Sequence, residues 1–349
     1  MPALKIGFAG VGFMGQLAHL KNYIALPGCE VAAIAEPRPR LRQRVAARYE
    51  IPQAFENHLE MLEHCPLDGI VASQPYTRHA ILIPDILARK IPVFTEKPVA
   101  LSVESGERLA RLSEENQTLH MVGYHKRSDP AMEYAREVIR DWKASGDYGA
   151  MRLVRATMPP GDWVAGGSQG HIDTGEAPPA GENEAPPAGM DQDTFEEYNS
   201  FVNYYIHQVN ALRFLLDEPY DVTHATRSGA LLVGESSSGV TATLEMAPFN
   251  TRQGWFETFL VGFEHGSIFI ELPAPLALHQ PGKVTLLRDS GKMPCPRFES
   301  PVLPPRHAML NQAMNFLAAI RGEKPAPCSA MEAVEDLRVA RDYIRLKRG

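Results

Sequence analysis

Cysteine is scarce in this chain of 349 residues. The four cysteines lie far apart and form no Cys-x-x-Cys pair, which argues against a disulfide framework and against a metal site. Long apolar runs are also absent, and the first apolar stretch passes directly into a glycine turn, so neither a membrane span nor a signal peptide is predicted. Lys and Arg number 35 against 42 Asp and Glu, with no basic segment, which argues against a nucleic-acid partner. We therefore expect a cytoplasmic protein, not bound to membranes, whose partners are small molecules.

The order of apolar segments predicts two domains. From residue 1 to 122, short β-rich runs alternate with segments of helical period, which is typical of βαβ units and a parallel sheet. Between residues 151 and 288 strand-like stretches follow one another with few helices, which favours antiparallel pairing. The predicted fold class is α/β: a Rossmann dinucleotide-binding domain at 1–122, then an α+β domain at 123–349 with a mostly antiparallel open sheet, for substrate binding and oligomerisation.

Two helix starts carry recognisable capping residues. Ser102 precedes a helical segment as a plausible N-cap. The closing helix opens with Ser329-Ala-Met-Glu332, the pattern of a capping box.

An acidic insertion rich in proline and glycine occupies about 166–194. From Gly170 to Glu197 there are eight carboxylates and no Lys or Arg, and the hexapeptide Glu-Ala-Pro-Pro-Ala-Gly occurs twice, at 176–181 and at 184–189. Regular structure is not expected there. The composition favours a mobile, solvated surface insertion, because long loops cost little closure entropy. The alternative is an active-site lid.

The strongest motif is a glycine turn that follows the first predicted strand and opens the first predicted helix. It reads Gly10-Val-Gly12-Phe13-Met14-Gly15. A dinucleotide pyrophosphate needs a tight turn, close backbone approach and a helix N-terminus, and these glycines supply all three.

Two residues near the end of the second strand bear on the choice of cofactor. Glu36, 21 residues after Gly15, can accept from the adenosine ribose hydroxyls and repel a 2′-phosphate, which favours NAD over NADP. Arg38 could instead pair with a 2′-phosphate, stack on the adenine or lie on the surface.

The tripeptide Glu96-Lys97-Pro98 follows the strand predicted at Val93–Thr95. Its position is the carboxyl edge of the sheet, where open α/β folds bind ligands. Removing a hydride from a carbinol also requires a group that takes the hydroxyl proton, and a lysine amine can do so when burial lowers its pKa. Lys97 is therefore the candidate for proton transfer beside the cofactor.

At this point the chain resembles the glucose–fructose oxidoreductase/inositol dehydrogenase (Gfo/Idh/MocA) family over essentially its whole length. The residues that carry the resemblance are Gly10–Gly15, Ser73-Gln-Pro-Tyr-Thr-Arg-His79, Glu96-Lys-Pro98 and Gly123-Tyr-His-Lys-Arg127. The resemblance implies that Lys97 contacts both substrate and nicotinamide. It also implies a cofactor-binding set that comprises Gly10, Gly12, Phe13, Met14, Gly15, Glu36, Arg38, Ser73, Gln74, Pro75, His79, Glu96, Lys97 and His125. His125 stands where the family often has an asparagine.

The family's Asp-x-x-x-His landmark reads Asn203-Tyr-Tyr-Ile-His207 here. Asn203, His207 and Asn210 share one helical face and could line a polar site. Because Asn203 replaces the aspartate, we expect His207 to orient the substrate and Lys97 to be the main base. Lys97 and His207 are the predicted catalytic residues. Arg127 and Trp163 complete the predicted substrate contacts, although Arg127 could equally fix a helix start and Trp163 could cover the core.

These residues predict an NAD-dependent oxidoreductase that transfers a hydride between nicotinamide and a hydroxyl or ketone carbon of a sugar, glycoside or cyclitol. One alternative is a glycoside-cleaving enzyme that uses NAD for transient oxidation and elimination. The other is a non-catalytic nucleotide-sensing regulator of the same fold, which the presence of Lys97 disfavours. The family likeness also implies a homodimer or homotetramer built on the exposed face of the C-terminal sheet.

Overall fold

The first strand, β1 (Leu4–Ala9), has its last four residues buried and runs into the glycine turn. It lies in a six-stranded, fully parallel sheet with the order β3-β2-β1-β4-β5-β6. The other strands are β2 (Cys29–Ala35), β3 (Gln53–Phe55), β4 (Gly69–Ala72), β5 (Val93–Glu96) and β6 (His120–Gly123). This is the strand order of a dinucleotide-binding Rossmann sheet, as the sequence predicted.

The computed structural model describes residues 2–246, 254–292 and 294–349. It divides into two compact units, of which the first comprises 1–124, 168–195 and 312–334, and the second 125–167, 196–311 and 335–349. In the described ranges every helix is too short or too polar to cross a bilayer.

Helices connect the parallel strands of the first unit. They are a π-helical stretch, Gly15–Leu20, that continues as α1 (Lys21–Ile24), then α2 (Pro39–Tyr49), α3 (His58–His64), α4 (His79–Ala88) after a 3-10 turn at Tyr76–Arg78, and α5 (Val103–Glu115). The predicted cap of α5 is confirmed, because Ser102 Oγ accepts from Ser105 N at 3.1 Å. The core of the unit is built on side chains such as Phe8, Ile34 and Phe94, all fully buried.

The second unit contains an eight-stranded sheet with the order β14-β13-β12-β11-β7-β10-β9-β8. Its strands are β7 (Met151–Thr157), β8 (Tyr220–Ala225), β9 (Leu231–Ser236), β10 (Thr241–Glu245), β11 (Thr258–Phe263), β12 (Gly266–Glu271), β13 (Lys283–Arg288) and β14 (Arg297–Glu299). All neighbouring pairs are antiparallel except β7 with β10, which is parallel. The predicted fold class, a Rossmann sheet followed by a mostly antiparallel one, is confirmed.

Over the residues that the structure describes, the remaining α-helices are α6 (Pro130–Ser145), α7 (Gln192–Leu216), α8 (Ala308–Ile320) and α9 (Ala330–Arg348). The capping box predicted before α9 is confirmed. Ser329 Oγ accepts from Glu332 N at 3.2 Å, and Glu332 Oε2 accepts from Ser329 N at 3.0 Å.

The acidic insertion differs from the sequence expectation in one respect. Residues 166–191 form turns and extended chain, as predicted, but the segment is not a freely solvated loop. Ile172 is only 9% exposed and packs into the hydrophobic core of the first unit. Burial of this apolar side chain holds the start of the segment against the first unit, whereas most of residues 173–191 are exposed, as expected for a solvated insertion.

Candidate functional site

The glycine turn after β1 is held from two sides. Gly10 has a φ of +90°, a conformation that favours glycine, and its amide donates to Ala35 O at 2.8 Å. Its carbonyl accepts from Ser73 Oγ at 2.7 Å. A Cβ on Gly15 would lie 2.7 Å from both Gly10 O and Ser73 Oγ, so a glycine there is what lets the helix start close against the strand end. Ser73, implied by the resemblance, thus contacts the turn directly.

The middle of the turn leaves room for a ligand backbone. Within the described chain, a Cβ built on Gly12 meets a single atom, Nη2 of Arg38 at 3.4 Å. Gln74 lies beside the turn, and its Oε1 is a buried acceptor without a hydrogen-bond partner among the described residues. An open glycine backbone and an unsatisfied amide side by side are features that a bound dinucleotide would use. The residues at this edge therefore fit the cofactor that the motif predicts.

Glu36 and Arg38 form one interacting pair. Glu36 is 2% exposed and accepts from Val11 N at 3.1 Å, which places its carboxylate against the glycine turn. The guanidinium of Arg38 donates to the same carboxylate through Nε at 2.7 Å and through Nη2 at 3.0 Å. This hydrogen bonding raises the pKa of Arg38, with nearby Glu176 and Asp173 adding to the effect. The charge of Arg38 is thus balanced by carboxylates within the protein.

Lys97 follows β5 at the carboxyl edge of the sheet and is partly buried. The peptide bond from Lys97 to Pro98 is cis. Its neighbour Glu96 accepts from the Lys97 amide at 3.2 Å. The structure therefore places this lysine on the same sheet edge as the glycine turn and Glu36, as the strand order predicts.

His19 is a site residue that the sequence reasoning missed. It is 1% exposed, and its Nε2 lies 2.6 Å from Oε1 of Glu96. Burial opposes ionisation of Glu96, but the contact with His19 outweighs it and, with the positive charge of Lys97, lowers the pKa of that carboxyl. The available signal was its position four residues after Gly15, one turn into the helix that the motif opens.

His79 lies beneath the loop that carries Lys97. It is 1% exposed, and its Nδ1 lies 3.2 Å from Val99 O. Burial lowers its pKa to about 4. Neighbouring His120 is also buried, with Nε2 3.0 Å from Thr95 Oγ1, and burial lowers its pKa to about 3. Both imidazoles are therefore neutral at physiological pH; His79 contacts the backbone after β5, and His120 contacts the side chain of Thr95 within it.

In the second unit the structure brings two predicted residues together. His125 begins a 3-10 turn, His125–Ser128, and His207 lies on α7. Their rings meet edge to face, with centroids 4.4 Å apart. His125 is buried and His207 is partly exposed, so of the two, His207 is the one accessible to a small molecule.

The other predicted residues of the second unit do not come together at one place. Arg127 is buried and donates to Asn210 Oδ1 at 2.7 Å, and Asn210 donates to Asp336 at 2.7 Å. These contacts place Arg127 in an internal polar network. Asn203 is exposed on α7, and Trp163, 36% exposed, lies in the loop after β7.

A buried ion pair next to His125 was also not predicted. Lys126 Nζ lies 2.6 Å from Glu257 Oε2, and the side chains are 4% and 0% exposed. Gln208 Nε2 donates to the other oxygen of the same carboxylate at 2.7 Å. The two members of the pair are 131 residues apart, so no local pattern could have indicated it.

The chain is similar to known oxidoreductases. Residues 4–124 match the Gfo/Idh/MocA profile, described as an oxidoreductase family with an NAD-binding Rossmann fold. The chain is 26% identical over 227 residues to the rhizopine catabolism protein MocA of Rhizobium meliloti, across 65% of this chain and 62% of that protein. It is 29% identical over 171 residues to inositol 2-dehydrogenase of Rubrobacter xylanophilus, across 46% of this chain and 48% of that enzyme. Both alignments span less than two thirds of the relative's length.

A solved structure resembles nearly the whole chain. Levoglucosan dehydrogenase in complex with NADH and levoglucosan superposes with a TM-score of 0.77, covering 99% of this chain and 97% of that one at 16% identity. At this identity the likeness establishes the shared fold.

Proposed function

We propose that this chain, whose residues 4–124 match the Gfo/Idh/MocA profile of oxidoreductases, oxidises a hydroxyl group of a sugar, glycoside or cyclitol with NAD, or reduces the corresponding ketone. NADP is the less favoured cofactor. Lys97 and His207 are the proposed catalytic residues.

One observation carries the proposal. The open glycine turn, the buried carboxylate of Glu36 and the amine-bearing Lys97 all belong to the carboxyl edge of a single parallel sheet. This is the edge at which open α/β sheets bind dinucleotides. If Lys97 had only a structural role, a side chain that can accept a proton would not be needed at this edge.

The chemistry assigned to the chain is a proton transfer. Bound NAD would supply the hydride acceptor. In the oxidation direction, Lys97 acts from its neutral amine form: Nζ takes the hydroxyl proton and becomes an ammonium while the carbon–oxygen double bond forms, so that a neutral ketone is left. In the reduction direction the same amine returns the proton. The His19–Glu96 pair positions this lysine.

The second unit supplies the proposed substrate contacts. His207 is partly exposed beside His125, and Asn203 and Trp163 are also exposed, so their polar and aromatic groups can meet hydroxyls and a sugar face. The names of the relatives, an inositol dehydrogenase and a levoglucosan dehydrogenase, support a polyhydroxylated ring as substrate.

The test is to incubate the purified protein with NAD and a panel of inositols, aldoses, glycosides and anhydrosugars while nicotinamide absorbance is followed. We expect net NADH formation with at least one cyclitol or sugar, and its loss in Lys97→Met. Release of free sugar from a glycoside without net NADH formation would instead identify the alternative function, glycoside cleavage by transient oxidation and elimination. Absence of any turnover together with tight NAD binding would favour a regulator and contradict the proposal.

A further inference from the structure

The acidic insertion lies along the Rossmann sheet and is anchored at three points. We call residues 171–184 the strap. At the first anchor both backbone groups of Ile172 bond to the amide side chain of Gln16: Ile172 N donates to Oε1 at 3.0 Å, and Ile172 O accepts from Nε2 at 3.1 Å. The ring of His171 also packs on that of Phe13, with centroids 5.0 Å apart. The strap therefore starts directly on the glycine turn.

The second and third anchors are glutamates at two helix starts. Glu176 accepts from Arg40 N at 3.2 Å and from Leu41 N at 2.9 Å, in the first turn of α2. Glu184 accepts from Ala80 N at 3.2 Å, in the first turn of α4. In the described structure neither helix has a side-chain cap from its own N-cap residue. The strap thus supplies both missing caps.

The duplicated hexapeptide explains why the strap carries two capping glutamates. Each copy begins with a glutamate, Glu176 in 176–181 and Glu184 in 184–189. One copy caps α2 and the other caps α4, so the repeat serves two helices of the same sheet. The two glutamates are chemically matched, but they lie beside different neighbours.

What distinguishes Glu176 is that it meets the arginines that follow the second strand, whereas the arginine that acts on Glu184 is Arg108 of α5. Its carboxylate lies 3.4 Å from Arg40 Nε, and it acts electrostatically on Arg38 together with Asp173. Burial opposes ionisation of Glu176, but hydrogen bonds from Thr174 and from the α2 amides outweigh it and lower its pKa. Glu176 is therefore an anion at neutral pH, bound to two backbone amides of α2 and to an arginine.

Free amides and arginines just after the second strand are also what a Rossmann domain uses to hold the 2′-phosphate of NADP. We propose that Glu176 of the strap occupies this anion position, so that the strap makes the protein choose NAD over NADP. This inference rests on the proposed function, because it assumes that the Rossmann unit binds a nicotinamide dinucleotide. In this proposal the insertion adds to the selectivity for NAD that Glu36 provides.

The experiment compares Glu176→Gln with Glu184→Gln in the full-length protein. Dissociation constants for NADH and NADPH are measured by calorimetric titration, so the readout is independent of turnover. We expect Glu176→Gln to bind NADPH about tenfold more tightly, since one anion has been removed from the phosphate position, and NADH within about twofold of the unchanged protein. Glu184→Gln should leave the ratio of the two constants unchanged.

A further variant tests the identity of the phosphate contact. In the double variant Arg40→Met/Glu176→Gln the gain in NADPH affinity should disappear, because Arg40, which Glu176→Gln releases, has been removed. If NADH binds while Glu176→Gln leaves the NADPH to NADH ratio unchanged, or improves both affinities equally, the specificity role is overturned. If no variant binds either dinucleotide, the proposed function fails, and this inference fails with it.

Discussion

The imidazole of His19 contacts the carboxylate of Glu96 at 2.6 Å, and Glu96 in turn accepts from the amide of Lys97. A residue of the first helix thereby holds the backbone that carries the proposed base. Since His19 is buried and Glu96 is only partly exposed, loss of the contact would leave a carboxylate without its main stabilising partner.

His19→Ala should therefore slow turnover by roughly tenfold to a hundredfold while NADH binding changes by a few-fold only, because a small displacement of a catalytic group is costly. The pKa of Glu96 should rise, so the acidic limb of the pH–rate profile should move to higher pH. Steady-state kinetics across pH provide the measurement. His19→Gln, which retains a donor, should restore much of the rate, and an unshifted profile in His19→Ala would refute the positioning role.

Lys97→Met retains an apolar stem and removes the amine. We expect turnover to fall by about 100- to 10,000-fold, the usual contribution of general acid–base catalysis, with NADH binding unchanged within a few-fold. Stopped-flow kinetics and titration separate the two effects. Lys324→Met, at an exposed position, is the matched control, and near-normal turnover in Lys97→Met would disprove the assignment.

His207→Ala should act mainly on substrate affinity. We expect KM to rise by about tenfold and kcat to fall by less, since the imidazole is proposed to orient a hydroxyl through a hydrogen bond worth about 1 kcal/mol or somewhat more. Initial-rate kinetics with the identified substrate test this. A large loss of kcat at unchanged KM would instead make His207 the proton-transfer residue.

The strap should contribute to stability through Ile172. Ile172→Ala removes a side chain packed in the core of the first unit, and we expect the free energy of unfolding to fall by about 2 kcal/mol or more. Urea denaturation gives the value. Glu182→Ala, in the exposed part of the strap, should change it by less than about 0.5 kcal/mol. Equal stability of Ile172→Ala and the unchanged protein would mean that the strap is detached in solution.

Buried neutral histidines should make the first unit sensitive to acid. His79 and His120 have pKa values lowered to about 4 and about 3 by burial, whereas in the unfolded chain a histidine has a pKa of about 6.5. Between those values the unfolded state binds more protons, so stability is complete above about pH 6.5 and is lost as the pH falls towards 4.

The variant His120→Gln should flatten this dependence, with a difference of up to about 2 kcal/mol in the unfolding free-energy change between pH 7 and pH 5. Denaturation at the two pH values is the measurement. His224→Gln, on the exposed face of β8, is the control and should leave the slope as it is. A slope unchanged in His120→Gln would show that this histidine is not buried as a neutral group.

Local patterns in the sequence determined the Rossmann sheet, the glycine turn at Gly10, Glu36 at the end of its strand and Lys97 at another strand end. Each depends on neighbours within a few residues, because turn chemistry and the period of apolar residues are local properties. The caps at Ser102 and Ser329 were predictable for the same reason, since a cap bonds to amides only two or three residues away.

Tertiary structure alone decided which distant groups meet. Gln16 bonds to Ile172 across 156 residues, His19 to Glu96 across 77, and Asn210 to Asp336 across 126. The acidic composition of the insertion suggested a solvated loop. Composition alone does not reveal that one isoleucine packs into a core, or that two repeated glutamates cap helices that lack a side-chain cap of their own. Such contacts depend on the folded path of the whole chain, and the free energy that fixes them comes from burial and from satisfying backbone amides, which exist as unpaired groups only once the helices have formed.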